Sequence, residues 1–120
     1  MQSTYKKISD QLHKKNLDRY KNLLQIIRQN KILFAKEDLP SSINGLFDYK
    51  PGEDPLIIIN KKLKGKKKIE VLAHELGHFF YGRSFPKEHR IQESIVDKLG
   101  KRILRNPLLF INNQFYGGFK

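Results

Sequence analysis

The sequence predicts an α+β fold, a compact domain with an amino-terminal helix, a small three-stranded sheet that includes a hairpin, and two further helices. Apolar residues recur at helical spacing over the first 29 residues and again from residue 66 onward, and an isoleucine-rich run lies between these regions. The 120 residues are 38% hydrophobic, which is enough for one core. We therefore expect residues 1–120 to form a single domain.

Residues 1–30 are predicted to be helical. Apolar side chains recur every three or four positions along residues 5–29, as on one face of an α-helix. The register slips between Leu12 and Leu17, and Asn16 is of a residue type that caps helices. The segment therefore forms either one imperfect helix or two short ones.

Residues 31–60 are predicted to form the small sheet. Residues 31–35 are a short strand candidate, whereas residues 46–49 and 56–60 flank a turn at residues 50–54. The last two strands predict a β-hairpin. The final strand is a continuous run of leucine and isoleucine, which is typical of a strand buried on both faces.

Two helices are expected after the sheet, over residues 66–82 and 88–105. The first is predicted to end near Gly82, since glycine commonly follows the last turn of a helix. The second is predicted to stop before Pro107, because proline disfavours helical backbone at the preceding residue. Residues 106–120 form a tail that is apolar and then glycine-rich, and the pattern assigns no structure to it.

The chain is strongly basic, with 24 lysines and arginines against 12 acidic residues and a formal net charge of +12. The densest run of lysines spans residues 61–68, between two apolar segments, and is predicted to be a solvated loop. Lysine supplies charge without the bidentate geometry by which arginine reads bases. We therefore expect weak, non-specific binding to nucleic acid.

Two absences in the sequence narrow the class of protein. No apolar run approaches the roughly 20 residues that span a bilayer, and no apolar stretch follows the charged amino terminus as in a secretory signal. We expect a cytoplasmic protein that does not bind membranes. The chain has no cysteine, so a metal site would consist of histidine and carboxylate ligands.

The segment His74-Glu75-Leu76-Gly77-His78 has the two histidines of a zinc metallopeptidase at i and i+4, with a glutamate after the first. On a helix these histidines lie on one face about 6 Å apart, so both imidazoles can reach one Zn²⁺. The apolar residues cluster on another face of the same helix: Ile69, Leu72, Ala73, Leu76, Phe79 and Phe80. The pattern therefore favours metal ligands over core histidines.

A catalytic zinc requires a third protein ligand and one open coordination position. The candidates in this sequence are Glu93, Asp97, His89, His13 and Glu88. Glu93 and Asp97 lie at i and i+4 on the next predicted helix, and we interpret Glu93 as the ligand and Asp97 as the acceptor of a ligating histidine's ring N–H. His89 is the main alternative to Glu93. Gly100 indicates close helix contact, since glycine costs about 1 kcal/mol relative to alanine inside a helix.

Residues 39–104 resemble the ImmA/IrrE family of small zinc metallopeptidases. The resemblance depends on Leu39-Pro40, Gly45-Leu46-Phe47, Ile57-Ile58-Ile59-Asn60, residues 71–80 around the histidine motif, and residues 93–100. Val96 and Gly100 depart from the alanines of the family pattern in ways compatible with their size. The resemblance implies a zincin-like, gluzincin-like α+β core. It also implies cleavage of a partner repressor, of the helix-turn-helix type, in a phage, another mobile element or a stress response.

Motif and resemblance together predict a zinc-dependent endopeptidase in which Glu75 moves the proton. The donor to the oxyanion stays open among Tyr81, His89, Arg90 and Tyr49, with Tyr81 and His89 foremost. The strand at residues 56–60, or its neighbour, is expected to pair with an extended substrate. Two other functions stay open, namely a non-catalytic zinc-fold module that binds DNA or a repressor, and a toxin–antitoxin component.

Overall fold

The computed structural model describes residues 2–84 and 90–111. In chain order its elements are α1 (Gln2–Gln29), β1 (Leu33–Glu37), β2 (Gly45–Asp48), β3 (Leu56–Asn60), α2 (Gly65–Ser84), α3 (Glu93–Arg105) and a 3₁₀ turn (Pro107–Leu109). Within these residues, three helices and one three-stranded sheet make an α+β fold. The predicted fold class is confirmed.

Helix α1 is one continuous helix, so the register slip does not divide it in two. The slip instead separates two environments. Before it, the apolar side chains of Ile8 and Leu12 are exposed, as is that of Leu17 directly after it. After it, Leu23 and Ile26 are buried in the core. The carboxy-terminal half of α1 therefore belongs to the core, and the amino-terminal half does not.

The end of α1 explains why β1 begins at Leu33, two residues later than predicted. Lys31 has a φ of 55°, and its N–H donates to the carbonyl of Arg28. The N–H of Ile32 donates to the carbonyl of Ile27. This pair of bonds closes the helix with a left-handed residue, a position that glycine usually fills. The chain needs these residues for the cap, so the strand starts after them.

Strand β3 is the centre of the sheet, in the order β1-β3-β2. It pairs in parallel with β1 and antiparallel with β2, which confirms the predicted hairpin. Ile57 and Ile59 are fully buried beneath the sheet, whereas Leu56 and Ile58 on the other face are half-buried. The prediction that β3 is buried on both faces is therefore wrong for one face, because no described helix covers it completely.

Asn60, the last residue of β3, fixes the loop that precedes β2. Its side-chain amide lies 3.1 Å from the carbonyl oxygens of Leu39 and Ile43 and 3.4 Å from that of Pro40. Its side-chain oxygen accepts the N–H of Lys62 at 3.1 Å. Asn60 is buried, so these bonds replace water on every polar atom of the amide.

Helix α2 begins inside the lysine run, so Lys66, Lys67 and Lys68 lie in its first turn and only the earlier lysines belong to a loop. The predicted apolar face is confirmed, since all six of its residues are buried. The helix continues through Gly82 to Ser84 instead of ending near Gly82. Gly82 does not have a positive φ, so it does not act as a terminator.

Helix α3 starts at Glu93, five residues later than predicted, and ends at Arg105 before Pro107 as expected. Residues 90–92 are not helical. The hydroxyl of Tyr81 donates to the carbonyl of Arg90 at 3.0 Å and accepts the N–H of Gln92 at 3.3 Å. These bonds attach the start of α3 to α2.

The described part of the tail returns to the core. The ring of Phe110 packs edge-on against Phe80, with centroids 4.9 Å apart, and both Phe110 and Ile111 are buried. Residues 112–120 of the predicted tail lie outside the described residues. None of the helices described here is long and apolar enough to cross a membrane.

Candidate metal centre

The two histidines of the motif lie one turn apart on α2. Their ring centroids are 5.1 Å apart, and both rings are half-buried. Phe47 of β2 stacks on His78, with centroids 6.1 Å apart and planes at 10°. This contact from the sheet restricts the orientation of the His78 ring before any ligand arrives.

Glu93, the first residue of α3, completes a group of three potential ligands. One of its carboxylate oxygens lies 3.5 Å from His74 Nε2 and the other lies 3.7 Å from His78 Nε2. One ligand atom from each residue fits within 4.8 Å of the others. Two atoms bound tetrahedrally to zinc, each about 2.1 Å away, are roughly 3.4 Å apart. The spacing and the two-histidine, one-carboxylate chemistry therefore both fit zinc.

Two glycines bring the backbones of α2 and α3 together at this point. A Cβ on Gly77 would lie 2.6 Å from the carbonyl oxygen of Val96, and one on Gly100 would lie 3.1 Å from that of Ala73. The first distance leaves no room for any side chain. The close helix contact predicted from Gly100 is confirmed, and it places Glu93 over the two histidines.

Glu75 faces the sheet from the same helix. Its side chain is buried, and burial raises the pKa of its carboxyl to about 7, with the negative charge of Glu93 adding to the effect. A Cβ on Gly45 of β2 would lie 3.2 Å from Glu75 Oε2. The absence of a side chain at Gly45 therefore makes the space that the carboxyl group occupies.

Burial also acts on His78. It lowers the pKa of this imidazole, the charge of Glu93 raises it, and His74 lowers it further. The net direction is downward, toward the neutral ring that binds metal ions at neutral pH.

An open cleft of about 500 Å³ passes along these groups. One wall is α2 with Asp97 of α3, and the other is the loop that leads into β2. Its lining residues are Ser42, Ile43, Asn44, Gly45, Lys67, Glu70, Val71, His74, Glu75, His78 and Asp97. The histidines and Glu75 are thus open to a ligand that enters between the helix and the edge of the sheet.

Residues 27–97, more than half of the chain, match the model of a peptidase family, M78, described as the IrrE N-terminal-like domain. The chain belongs to this family. No curated protein and no solved structure matches it.

The IrrE N-terminal-like region begins in the last turns of α1 and ends at Asp97. It therefore contains the whole sheet, Glu75 and the three clustered residues. The exposed half of α1 and Gly100 lie outside it. The family resemblance predicted from the sequence is confirmed.

Asp97 lines the cleft of the IrrE N-terminal-like domain, but its carboxylate lies 3.0 Å from Lys101 Nζ on the next turn of α3. Among the described residues it forms no hydrogen bond with His74 or His78. The interpretation of Asp97 as the partner of a ligating histidine stays a prediction, and Lys101 competes for the carboxylate.

The structure does not support Tyr81 as an oxyanion donor. Tyr81 is buried, its hydroxyl binds the backbone at residues 90 and 92, and it does not line the cleft. In this IrrE N-terminal-like domain, Tyr81 fixes the segment that leads into α3 through these two hydrogen bonds. His13 lies elsewhere, in a small pocket between α1 and the start of α2. His89 and Glu88 lie outside the described residues.

Sequence reasoning missed the glycines and the ring that shape the centre. Gly77 carries the same signal as Gly100, a glycine inside a helix, and that signal could have found it. Gly45 lies outside the strand predicted at residues 46–49, but it is the first residue of β2 and lies opposite Glu75. Phe47 carried no signal for its stack on His78, since that contact depends on how the sheet lies on the helix.

Proposed function

We propose that this protein is a zinc-dependent endopeptidase in which His74, His78 and Glu93 hold the metal and Glu75 is the catalytic base. Membership of a peptidase family supports the reaction class. The observation that carries the proposal is the buried carboxyl of Glu75, with a pKa of about 7, beside a two-histidine, one-carboxylate group. A purely structural metal site has no use for such a group.

The chemistry follows from the positions of these side chains. A bound zinc ion acts as a Lewis acid on the carbonyl oxygen of the scissile peptide. Glu75 accepts a proton from the attacking water and donates it to the amine nitrogen that leaves. In the protein without a metal ion, burial raises the pKa of this carboxyl to about 7, so the side chain binds a proton more readily than an ordinary carboxylate does.

The substrate is proposed to bind as an extended strand along β2. Of the two strands that the sequence left open, β3 already pairs on both edges, which leaves its neighbour. Its neighbour β2 lies at the edge of the sheet and contacts α2 through Gly45 and Phe47. A peptide added to this edge lies in the cleft next to His78 and Glu75.

The proposed substrate is a helix-turn-helix repressor or a similar regulatory protein of a phage, another mobile element or a stress response. The family resemblance supports this class of substrate. The basic charge of the chain also supports it, because a positive enzyme concentrates near a repressor bound to DNA. We likewise propose that the protein acts in the cytoplasm, where such repressors act.

The deciding experiment compares wild type with Glu75→Gln during co-expression with the repressors encoded next to the gene. Glutamine preserves size but cannot accept the proton, so we expect zinc content to be unchanged and cleavage to fall by at least about 100-fold. If both proteins bind a repressor and neither cleaves it, the protein is a binding module. If both cleave it equally, Glu75 is not the base.

Metal analysis of ligand variants tests the rest of the centre. We expect one zinc per chain in wild type, its loss in Glu93→Ala, and binding about 10- to 100-fold weaker in Asp97→Ala. Lys101→Ala is the matched control for Asp97, since it removes the same ion pair and spares the carboxylate. Metal loss in His89→Ala with retention in Glu93→Ala would contradict the ligand set.

A further inference from the structure

The cleft extends beyond the metal centre toward the first turn of α2. Lys67, Val71, His74 and His78 follow one another at helical spacing on one face, and all four line the cleft. Lys67 is thus on the same face as the histidines, two turns nearer the amino terminus of the helix. It faces the loop residues Ser42–Asn44 across the cleft.

The side chain of Lys67 contacts no partner among the described residues, whereas Lys62, Lys66 and Lys68 of the same run each have one. Lys62 lies 3.3 Å from Asp38, and Lys68 lies over the ring of Tyr20 at 4.2 Å. Lys66 lies 3.8 Å from Glu70, a carboxylate that also lines the cleft. The ammonium group of Lys67 is therefore available to a ligand.

The opposite wall of the cleft is preformed. The loop from Leu39 to Asn44 is bound to the buried Asn60 by three contacts between its carbonyl oxygens and the Asn60 amide. The N–H of Asn60 also donates to the carbonyl of Asn44 at 2.8 Å. A side chain that enters between this loop and Lys67 meets a fixed wall, which reduces the entropy lost on binding.

We propose that Lys67 forms a subsite for an acidic side chain of the peptide substrate. The inference rests on the peptidase function proposed above. It adds a preference for an acidic residue close to the scissile bond of the substrate. Its chemistry is an ion pair between the Lys67 ammonium and an aspartate or glutamate carboxylate.

The geometry gives the position of this acidic residue. Lys67 precedes His74 by seven residues, or about 10 Å along the helix axis, and an extended peptide covers this distance in roughly three residues. Gly45 lies over Val71 and Glu75, whereas Phe47 lies over His78. We place the added peptide antiparallel to β2, since antiparallel pairing is the more stable per residue, and it then runs from Phe47 toward Gly45 and Lys67. The acidic residue is expected on the carboxy-terminal side of the scissile bond.

The test uses a randomised decapeptide library with two readouts. Cleavage products of the zinc-loaded wild type are sequenced by mass spectrometry, and peptides retained by zinc-loaded Glu75→Gln are sequenced in parallel. Each readout is repeated after Lys67→Glu, or Lys64→Glu, has been introduced into the protein used for that readout. Lys64 is the matched control because it belongs to the same lysine run and does not line the cleft.

We expect acidic residues to be enriched roughly two- to fivefold at about the third position after the cleaved bond, the range for a partly exposed ion pair. Lys67→Glu should remove or reverse this preference, and Lys64→Glu should leave it. Absence of an acidic preference in both readouts, or equal loss in both variants, would overturn the subsite.

Failure of the subsite and failure of the peptidase proposal are distinguishable. Cleavage by wild type without an acidic preference rejects the subsite and leaves the peptidase function standing. Retention of acidic peptides by Glu75→Gln that depends on Lys67, with no cleavage by wild type, supports the subsite and rejects the peptidase function.

Discussion

The crossing of α2 and α3 and the amino-terminal half of α1 have similar helical patterns of apolar residues but opposite environments. At the crossing, Leu76, Val96 and Leu99 are fully buried. On α1, Ile8 and Leu12 are more than half exposed. Apolar spacing therefore predicts that a segment is helical and does not predict that another element covers it.

The feature that separates the two regions is glycine. Gly77 and Gly100 let the backbones of α2 and α3 touch, whereas the described part of α1 contains no glycine. The candidate metal centre lies beside this contact, with Glu93 on α3 and the histidines on α2. Four predictions test this contrast, in order of decreasing effect.

The same substitution in both regions should give different losses of stability. Leu99→Ala removes a fully buried side chain at the crossing and should lower the free energy of unfolding by about 2 to 5 kcal/mol. Leu12→Ala, on the exposed half of α1, should change it by less than about 0.5 kcal/mol. Urea unfolding measures both. Equal losses would mean that the exposed half of α1 is covered in solution.

A buried carboxyl also distinguishes the crossing from the exposed helix. In metal-free protein, the pKa of Glu75 is about 7 in the folded state and 4.5, its ordinary value, in the unfolded state. Wild type should therefore lose stability as the pH rises through this interval, because the unfolded state releases the proton first. Glu75→Gln cannot ionise and should be more stable at pH 8 by about 2 to 3 kcal/mol, with the difference vanishing near pH 4.

Thermal unfolding across the pH range, with chelator present, measures this difference. Asp10→Asn, at an exposed position on α1, is the control and should change stability by less than about 0.5 kcal/mol at every pH. A constant difference between wild type and Glu75→Gln from pH 4 to pH 8 would show that Glu75 does not titrate in this interval.

Two glycines of the same helix should respond in opposite directions to alanine. Gly77→Ala places a Cβ 2.6 Å from the carbonyl oxygen of Val96 and should cost about 1 to 3 kcal/mol, with weaker zinc binding because Glu93 moves away from the histidines. Gly82→Ala meets nothing within 4 Å and should stabilise the protein by up to about 1 kcal/mol. Unchanged zinc affinity in Gly77→Ala would show that the contact between α2 and α3 does not position the zinc ligands.

The lysine run should affect binding without affecting stability. Replacing four of its six lysines with glutamine should change the free energy of unfolding by less than about 0.5 kcal/mol. It should weaken binding to unrelated DNA duplexes equally and reduce the dependence on salt. Anisotropy titrations at two salt concentrations measure this effect. A preference for one duplex at physiological salt would instead indicate specific recognition.

The features that the sequence predicted correctly are those that local residue patterns determine. Helical spacing, a β-branched run between turn residues and the His74-Glu75 motif gave the fold class and placed the histidines on one face. Glu93 was predicted because carboxylates at i and i+4 on the next helix were the best match to a third ligand, and the structure brings it to the two histidines.

Other features depend on contacts distant in sequence. The start of α3 was misplaced because the hydrogen bonds of Tyr81 to residues 90 and 92 hold that segment out of a helix. Tyr81 was one of several oxyanion donors left open, since a residue three positions after His78 gives no indication of whether it faces the cleft or the core. The ion pair of Asp97 with Lys101 was visible as i and i+4 spacing. Glu93 and Asp97 lie on the same face of α3, however, and the sequence did not show which group each carboxylate contacts.

Asn60 couples the opening of the cleft wall to the stability of the sheet. Because the loop from Leu39 to Asn44 is bonded to the end of β3, it cannot swing alone without exposing a buried amide. Opening of the loop therefore requires its hydrogen bonds to Asn60, at the end of β3, to break. Hydrogen exchange at the N–H groups of Ile43 and Asn60, both of which donate to carbonyls of this loop, should slow to the rate of the central strand.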